Sequence, residues 1–187
     1  MLKFLLTLIA GVTISTSAFA DKLDGDVAIH IAKRHYEHPV RLLHPYLDVW
    51  HMKGPLAEKV ALKAFAQAFI NSHLCSDTTA NVTVLLEPQM FYNAQLRVFH
   101  AEIIAKIFTT GSEPIVSIKK QAEQNGELGI KPEFYMEKAY TKAMDKVLKK
   151  LTKDATFLAA LKTNQANQST QAQCSLLDSL PVSKIYY

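Results

Sequence analysis

Beyond its first twenty residues this chain of 187 holds no run approaching the roughly 18 uninterrupted apolar residues that a membrane-spanning helix requires. No transmembrane segment is therefore expected in the mature protein. No cysteine follows the opening apolar run, so the usual acylation signal of a bacterial lipoprotein is missing. Strong charge is missing too: the formal net charge is +4, falling by one to +3 without Lys3, a mild excess that matters only if it is concentrated on one face. Nucleic acid is not an expected partner. Gly-x-Ser-x-Gly, His-Glu-x-x-His, a phosphate-cradling glycine loop and a paired-carboxylate spacing are all absent, which leaves no catalytic class with a motif to support it. No cofactor is implied, and an enzyme would have to assemble its site from residues far apart in the chain.

What is present begins with a short charged start, Met1 to Lys3, and the apolar run "FLLTLIAGVTI". That run is too brief to span a bilayer and leads to the small-x-small pattern Ala18-Phe19-Ala20, so residues 1–20 read as a signal peptide cleaved near Ala20. The expected location is the periplasm or outside the cell. The mature chain is then long enough for one domain with a real core and too short to make two the natural reading. Residues 21–161 are expected to form it, followed by a polar linker and C-terminal segment over 162–187.

Cys75 and Cys174, the two cysteines, read as one disulfide, because a cysteine pair in an exported chain most often bonds. Two separate buried thiols are the alternative. The bridge closes a loop of close to a hundred residues, worth roughly 4 to 5 kcal/mol in the chain-entropy account. It also gives "KTNQANQSTQAQ", which is too polar to pack by itself, a means of tying "CSLLDSLPVSKIYY" back onto the domain. An oxidised thiol cannot act as a nucleophile.

Gly54-Pro55 opens a helix that runs to His73, with Leu62, Phe65, Phe69 and Ile70 on one face and Lys59, Lys63, Gln67 and Asn71 on another. Val82, Val84 and Leu86 then alternate in a strand that Pro88 is expected to stop. Ala94 to Phe108 suits either helix or strand; the unbroken period of two through Phe99, Ala101, Ile103, Ala105 and Ile107 favours a long strand, with "TTGSEP" as a hairpin loop. A third strand spans about Ile115 to Glu123. Lys131-Pro132 opens a second helix with Met136, Tyr140, Ala143, Val147 and Leu151 as its buried stripe, and a continuation of it or a second short helix follows around Asp154 to Leu161. Earlier in the chain Val27, Ile29 and Ile31 alternate like a short strand, and Tyr46 to Met52 reads as a fourth strand of the sheet after an irregular connection through His38-Pro39 and His44-Pro45. The expected fold class is α+β: two layers, with an antiparallel three- to four-stranded sheet and two main helices packed on one face.

Five of the seven histidines lie between His30 and His51, at gaps of five, three, six and seven residues. Such irregular gaps, broken by two prolines, do not match the fixed spacings by which short motifs converge on zinc. They read as histidines on a strand and in loops, with His35, His38, His44 and His51 as the candidates should the segment bind metal. His100, Glu102 and Lys106 share one face of the long strand and could exchange protons, yet Ile104 and Phe108 share that face, as on the wetter side of a half-covered antiparallel sheet.

One pattern leans toward binding. Lys138, Lys142, Lys146 and Lys150 recur every four residues along the second helix, with Lys149 and Lys153 beside them. Like charges at that spacing cost a helix roughly 0.2–0.5 kcal/mol per pair. A stripe that carries this cost fits an anionic surface, such as lipid headgroups or lipopolysaccharide, or an acidic protein partner. A solvated lysine face that aids solubility is the plainer reading.

The order of elements from Leu56 to Leu161, with "AFINSHL", "ANVTVLL", "AQLRVFHAEIIAKIF" and the closing "EFYMEKAYTKAMDKVLKKLTKDATFLAAL", resembles the small periplasmic lipoproteins that accompany ABC-type and other envelope lipid-transport systems. The resemblance implies a non-catalytic envelope accessory that binds a protein complex or its lipid cargo. This chain departs from the family in lacking the lipidated cysteine, and no functional residue carries over. The expected function is thus that of an exported binding or accessory protein of the bacterial cell envelope, with a metal-binding periplasmic protein using His30–His51 as the alternative.

Overall fold

The computed structural model describes residues 22–76, 78–163 and 170–180. The expected signal peptide, the middle of the polar linker and the end of the C-terminal segment lie outside the described residues. In chain order the elements are β1 (Leu23–His30), α1 (Lys33–Tyr36), β2 (Pro39–Leu43), β3 (Asp48–Met52), α2 (Lys53–Ala68), β4 (Phe69–Leu74), β5 (Val82–Asn93), β6 (Val98–Phe108), β7 (Val116–Asn125), α3 (Pro132–Leu151), α4 (Ala155–Lys162) and α5 (Thr170–Ser179).

The chain is α+β, but its main sheet is five-stranded and mixed, in the order β4-β1-β5-β6-β7, with β2 and β3 forming a separate two-stranded sheet. This corrects the expectation of one antiparallel sheet of three or four strands. β1, taken from the sequence as a short strand before the main body, lies inside the sheet and runs parallel to both β4 and β5. A strand with parallel neighbours on both edges and layers on both faces has no wet side. Val27, Ala28 and Ile29 are accordingly buried in succession. β3, expected as the sheet's fourth strand, pairs instead with β2, which occupies the stretch expected to be irregular.

Two boundaries also differ. The first helix ends at Ala68 rather than His73, and "FINSHL" becomes β4. Phe69 is buried in either conformation, but only as a strand can Asn71 to Leu74 pair with Asp26 to Ile29. The second difference is Pro88, which does not stop β5. β1 pairs with β5 only as far as Leu85, so Pro88 sits where β5 is paired on its β6 side alone, and proline's missing N–H is tolerated along such an edge.

Several expectations made within single elements hold. β6 is a strand and pairs with β5 across the turn at 94–97 and with β7 through the hairpin around 109–114. Its residues Phe99, Ala101, Ile103, Ala105 and Ile107 are buried against α2 and α3. Pro132 starts α3, and its expected stripe from Met136 to Leu151 is buried. Asp154 caps α4 by accepting the Phe157 N–H at 3.1 Å, which satisfies one of the free donors of the first turn. The opposite sheet face is partly covered by α5, whose Leu177 joins Ala32, Leu85 and Phe108 in a second small core.

Candidate functional site

The register of β5, β6 and β7 fixes which side chains share the outer face of the sheet. Phe91, His100 and Glu123 stand side by side across the three strands, as do Gln89, Glu102 and Gln121, and Ile104 beside Lys119. No helix among the described residues covers this end of the face, and an open groove of about 1070 Å³ lies there, with Phe91, His100, Glu102, Lys119, Glu123 and Lys146 among its lining residues. The Phe91 and His100 rings are 5.7 Å apart. His100 Nδ1 is 3.3 Å from Glu123 Oε1, and Lys119 Nζ is 2.9 Å from Glu102 Oε2.

These pairings decide the reading of His100, Glu102 and Lys106 as a proton-transfer group. Each takes a different neighbour, because Lys106 reaches Glu87 Oε1 at 2.8 Å. The three are held in separate cross-strand pairs and are not aimed at one point.

Further along the same face lies a polar cluster that sequence reasoning missed. Glu87 and Gln89 of β5 are buried beneath α1 and the start of α2, together with His35 and Lys53. Lys53 Nζ donates to Gln89 Oε1 at 2.9 Å. Burial pulls the Lys53 ammonium below the usual lysine range, with the Glu87 carboxylate opposing. Burial likewise lowers His35, again against Glu87. A pocket of about 190 Å³ adjoins the cluster, smaller than the few hundred Å³ that ordinary ligand sites offer. What the cluster does is seat α1 and α2 on the sheet through charge and hydrogen bonds. Its only trace in the sequence is Glu87 and Gln89 on either side of Pro88, directly after "VTVLL", a pattern that reads as the end of a strand.

The lysines of α3 divide into two groups. Lys142 Nζ donates to the Glu123 carbonyl at 3.2 Å and Lys146 Nζ to the Gln121 carbonyl at 2.8 Å, both on β7, the last strand of the sheet. Lys138 Nζ rests 4.3 Å from the centre of the Phe134 ring. These three therefore have partners within the fold, while Lys149, Lys150 and Lys153 are exposed on the last turn of α3 and just beyond it. Lysines along an edge strand block further strand pairing, so part of the stripe is edge protection.

The histidines of the first segment are dispersed. His35 lies in the cluster with Glu87, His38 is exposed, His44 packs near Tyr46 and Tyr92, and buried His51 sits 6.1 Å from the Tyr140 ring. Burial, with Lys53 adding to it, lowers His51 to about 4. Among the described residues, the potential metal ligands that the fold gathers as a group of three are His30, Cys75 and Cys174. Cys75 and Cys174 form the expected disulfide, across 99 residues of sequence. No helix among the described residues is long and apolar enough to cross a membrane. The disulfide fits a periplasmic or secreted chain.

No family model matches the sequence, and no curated protein matches it. Among solved structures, the crystal structure of a Xanthomonas campestris protein of the DUF330 family is similar, with a TM-score of 0.49 and 11% identity over 68% of this chain and 83% of that one. A likeness at that level carries no argument about function.

Proposed function

We propose that this chain is an exported, non-catalytic binding protein of the bacterial cell envelope, an adaptor that docks a protein partner on the outer face of β5–β7. The observation that carries the reading is the groove, which combines an exposed aromatic side chain, Phe91, with charges of both signs, Glu102, Glu123, Lys119 and Lys146. A uniformly anionic lipid surface would be met best by one sign of charge. Alternating signs around an aromatic anchor suit a folded protein or a segment of one. The resemblance to periplasmic accessory lipoproteins points the same way, and the disulfide agrees with export.

The test is cross-linking and recovery of the tagged mature chain from its own envelope. It is run beside Phe91→Ala/Lys119→Glu and, as a control of distant surface charge, Lys149→Glu/Lys150→Glu. A single complex retained by the control and reduced at least tenfold by the groove variant is the expected result. Equal recovery with the groove variant, or no specific complex at all, overturns the adaptor reading.

A further inference from the structure

The Cys75–Cys174 pair does not stand alone. A ring nitrogen of His30 and the two sulfurs lie within 4.8 Å of one another. His30 ends β1, and the Cys75 N–H donates to the Ile29 carbonyl at 3.0 Å, so the parallel pairing of β1 with β4 brings imidazole and thiol to the same end of the sheet. Cys174 is on α5, and four residues later on the same helical face Asp178 accepts from His30 Nε2 through Oδ1 at 2.9 Å. That same oxygen accepts the Lys33 N–H at 3.0 Å, and the Asp178 carbonyl accepts from Arg34 at 2.7 Å.

We propose that the reduced chain binds one Zn²⁺ through His30, Cys75 and Cys174, so that disulfide and metal are alternative states of one site. Two thiolates and an imidazole are a ligand set that selects zinc. Donors around a tetrahedral zinc stand roughly 3.3–3.8 Å apart, so shifts on the order of 1 Å suffice. Asp178 is placed as the outer carboxylate that orients a metal-bound imidazole, and water or a carboxylate oxygen completes the fourth position.

Contacts other than the S–S bond also hold α5 at the site. Thr170 Oγ1 donates to the carbonyls of Ser76 and Thr78 at 2.6 and 2.8 Å, Leu177 is fully buried, and Asp178 joins α5 to β1 and α1. On the proposal, these contacts retain α5 when the sulfurs part. The chemistry balances through thiol–disulfide exchange: a dithiol reductant supplies two electrons and becomes a disulfide, while Cys75 and Cys174 become thiols. Zinc then displaces their two protons to solvent. Oxidation runs the sequence backward and expels the ion. The site lies apart from the outer-face groove, and the proposal is independent of the adaptor reading.

The test uses the full mature chain, reduced and then titrated with Co²⁺ under anaerobic conditions, followed by displacement with Zn²⁺. One equivalent of Co²⁺ should produce thiolate-to-metal charge-transfer absorption, which zinc abolishes. The oxidised chain should show none, and His30→Ala should weaken binding at least tenfold without preventing the disulfide. Absorption unchanged by His30→Ala overturns the proposal, as does a reduced chain that retains its circular dichroism yet binds no cobalt. Should reduction unfold the chain, zinc must restore the circular dichroism of the wild type and fail to restore that of His30→Ala; recovery in neither or in both also overturns it.

Discussion

Among the described residues three buried side-chain polar atoms have no hydrogen-bond partner: the Tyr140 hydroxyl, Nε2 of His51 and Nε2 of His73. An unmade hydrogen bond in the interior costs roughly 1–3 kcal/mol, so deleting the hydroxyl should not hurt. Tyr140→Phe is expected to leave stability unchanged or raise it by up to about 1 kcal/mol, read by urea unfolding. His51 gives a pH dependence with a definite sign. Its folded value, about 4, lies below the ordinary 6.5, so the unfolded chain takes up the proton first. Above pH 6.5 this residue costs nothing. As the pH falls from 6.5 toward 4, stability is lost by up to about 3 kcal/mol, and His35 is shifted in the same direction. Urea midpoints across that window should fall in the wild type and fall less steeply in His51→Gln. The sequence showed five clustered histidines but not which would be buried, because His35 is buried by the seating of α1 near Glu87 of β5 and His51 by the packing of β3 near Tyr140 of α3.

At the scale of elements, β7 and α3 explain each other. The β7 carbonyls at Gln121 and Glu123 would otherwise be open to another strand, and Lys142 and Lys146 occupy them. Lys142→Thr/Lys146→Thr should therefore promote self-association, measured by sedimentation. Lys149→Thr/Lys150→Thr removes the same charge away from the edge and should not. A second junction is that of α1 with α2: a Cβ added at Gly54 would lie 2.4 Å from the Tyr36 Cα. Gly54→Ala forces the two helices apart and is expected to cost about 1–3 kcal/mol, again by urea unfolding. Period and punctuation made β6, β7, α3 and α4 readable in advance, since Pro132, Asp154 and the alternation from Phe99 to Ile107 act within one element. They failed at Phe69, where an amphipathic helical pattern continues into residues that pair with β1 instead.

At the scale of the whole molecule, the disulfide and the mixed sheet share one consequence: α5 covers the face of the sheet opposite α2 and α3. The bridge closes 99 residues of sequence, and Cys75→Ala/Cys174→Ala should cost about 2–5 kcal/mol. Hydrogen exchange should rise most in α5 and at the C-terminal end of β1. Uniform loosening across the sheet would instead mean that the bridge supports the fold globally.

The sequence by itself determined the parts whose causes are local. These are strand or helix where period and proline agree, the buried stripe of α3, and a cysteine pair available for bonding. Only the tertiary structure decided the parts that depend on distant chain. β1 became an inner parallel strand because β4 and β5 flank it. Glu87 and Gln89 became buried because α1 and the start of α2 close over them, and two of the lysines became edge protection because α3 lies beside β7. Parallel pairing leaves no turn in the sequence to announce it, and a side chain's partners across the fold leave no spacing to read.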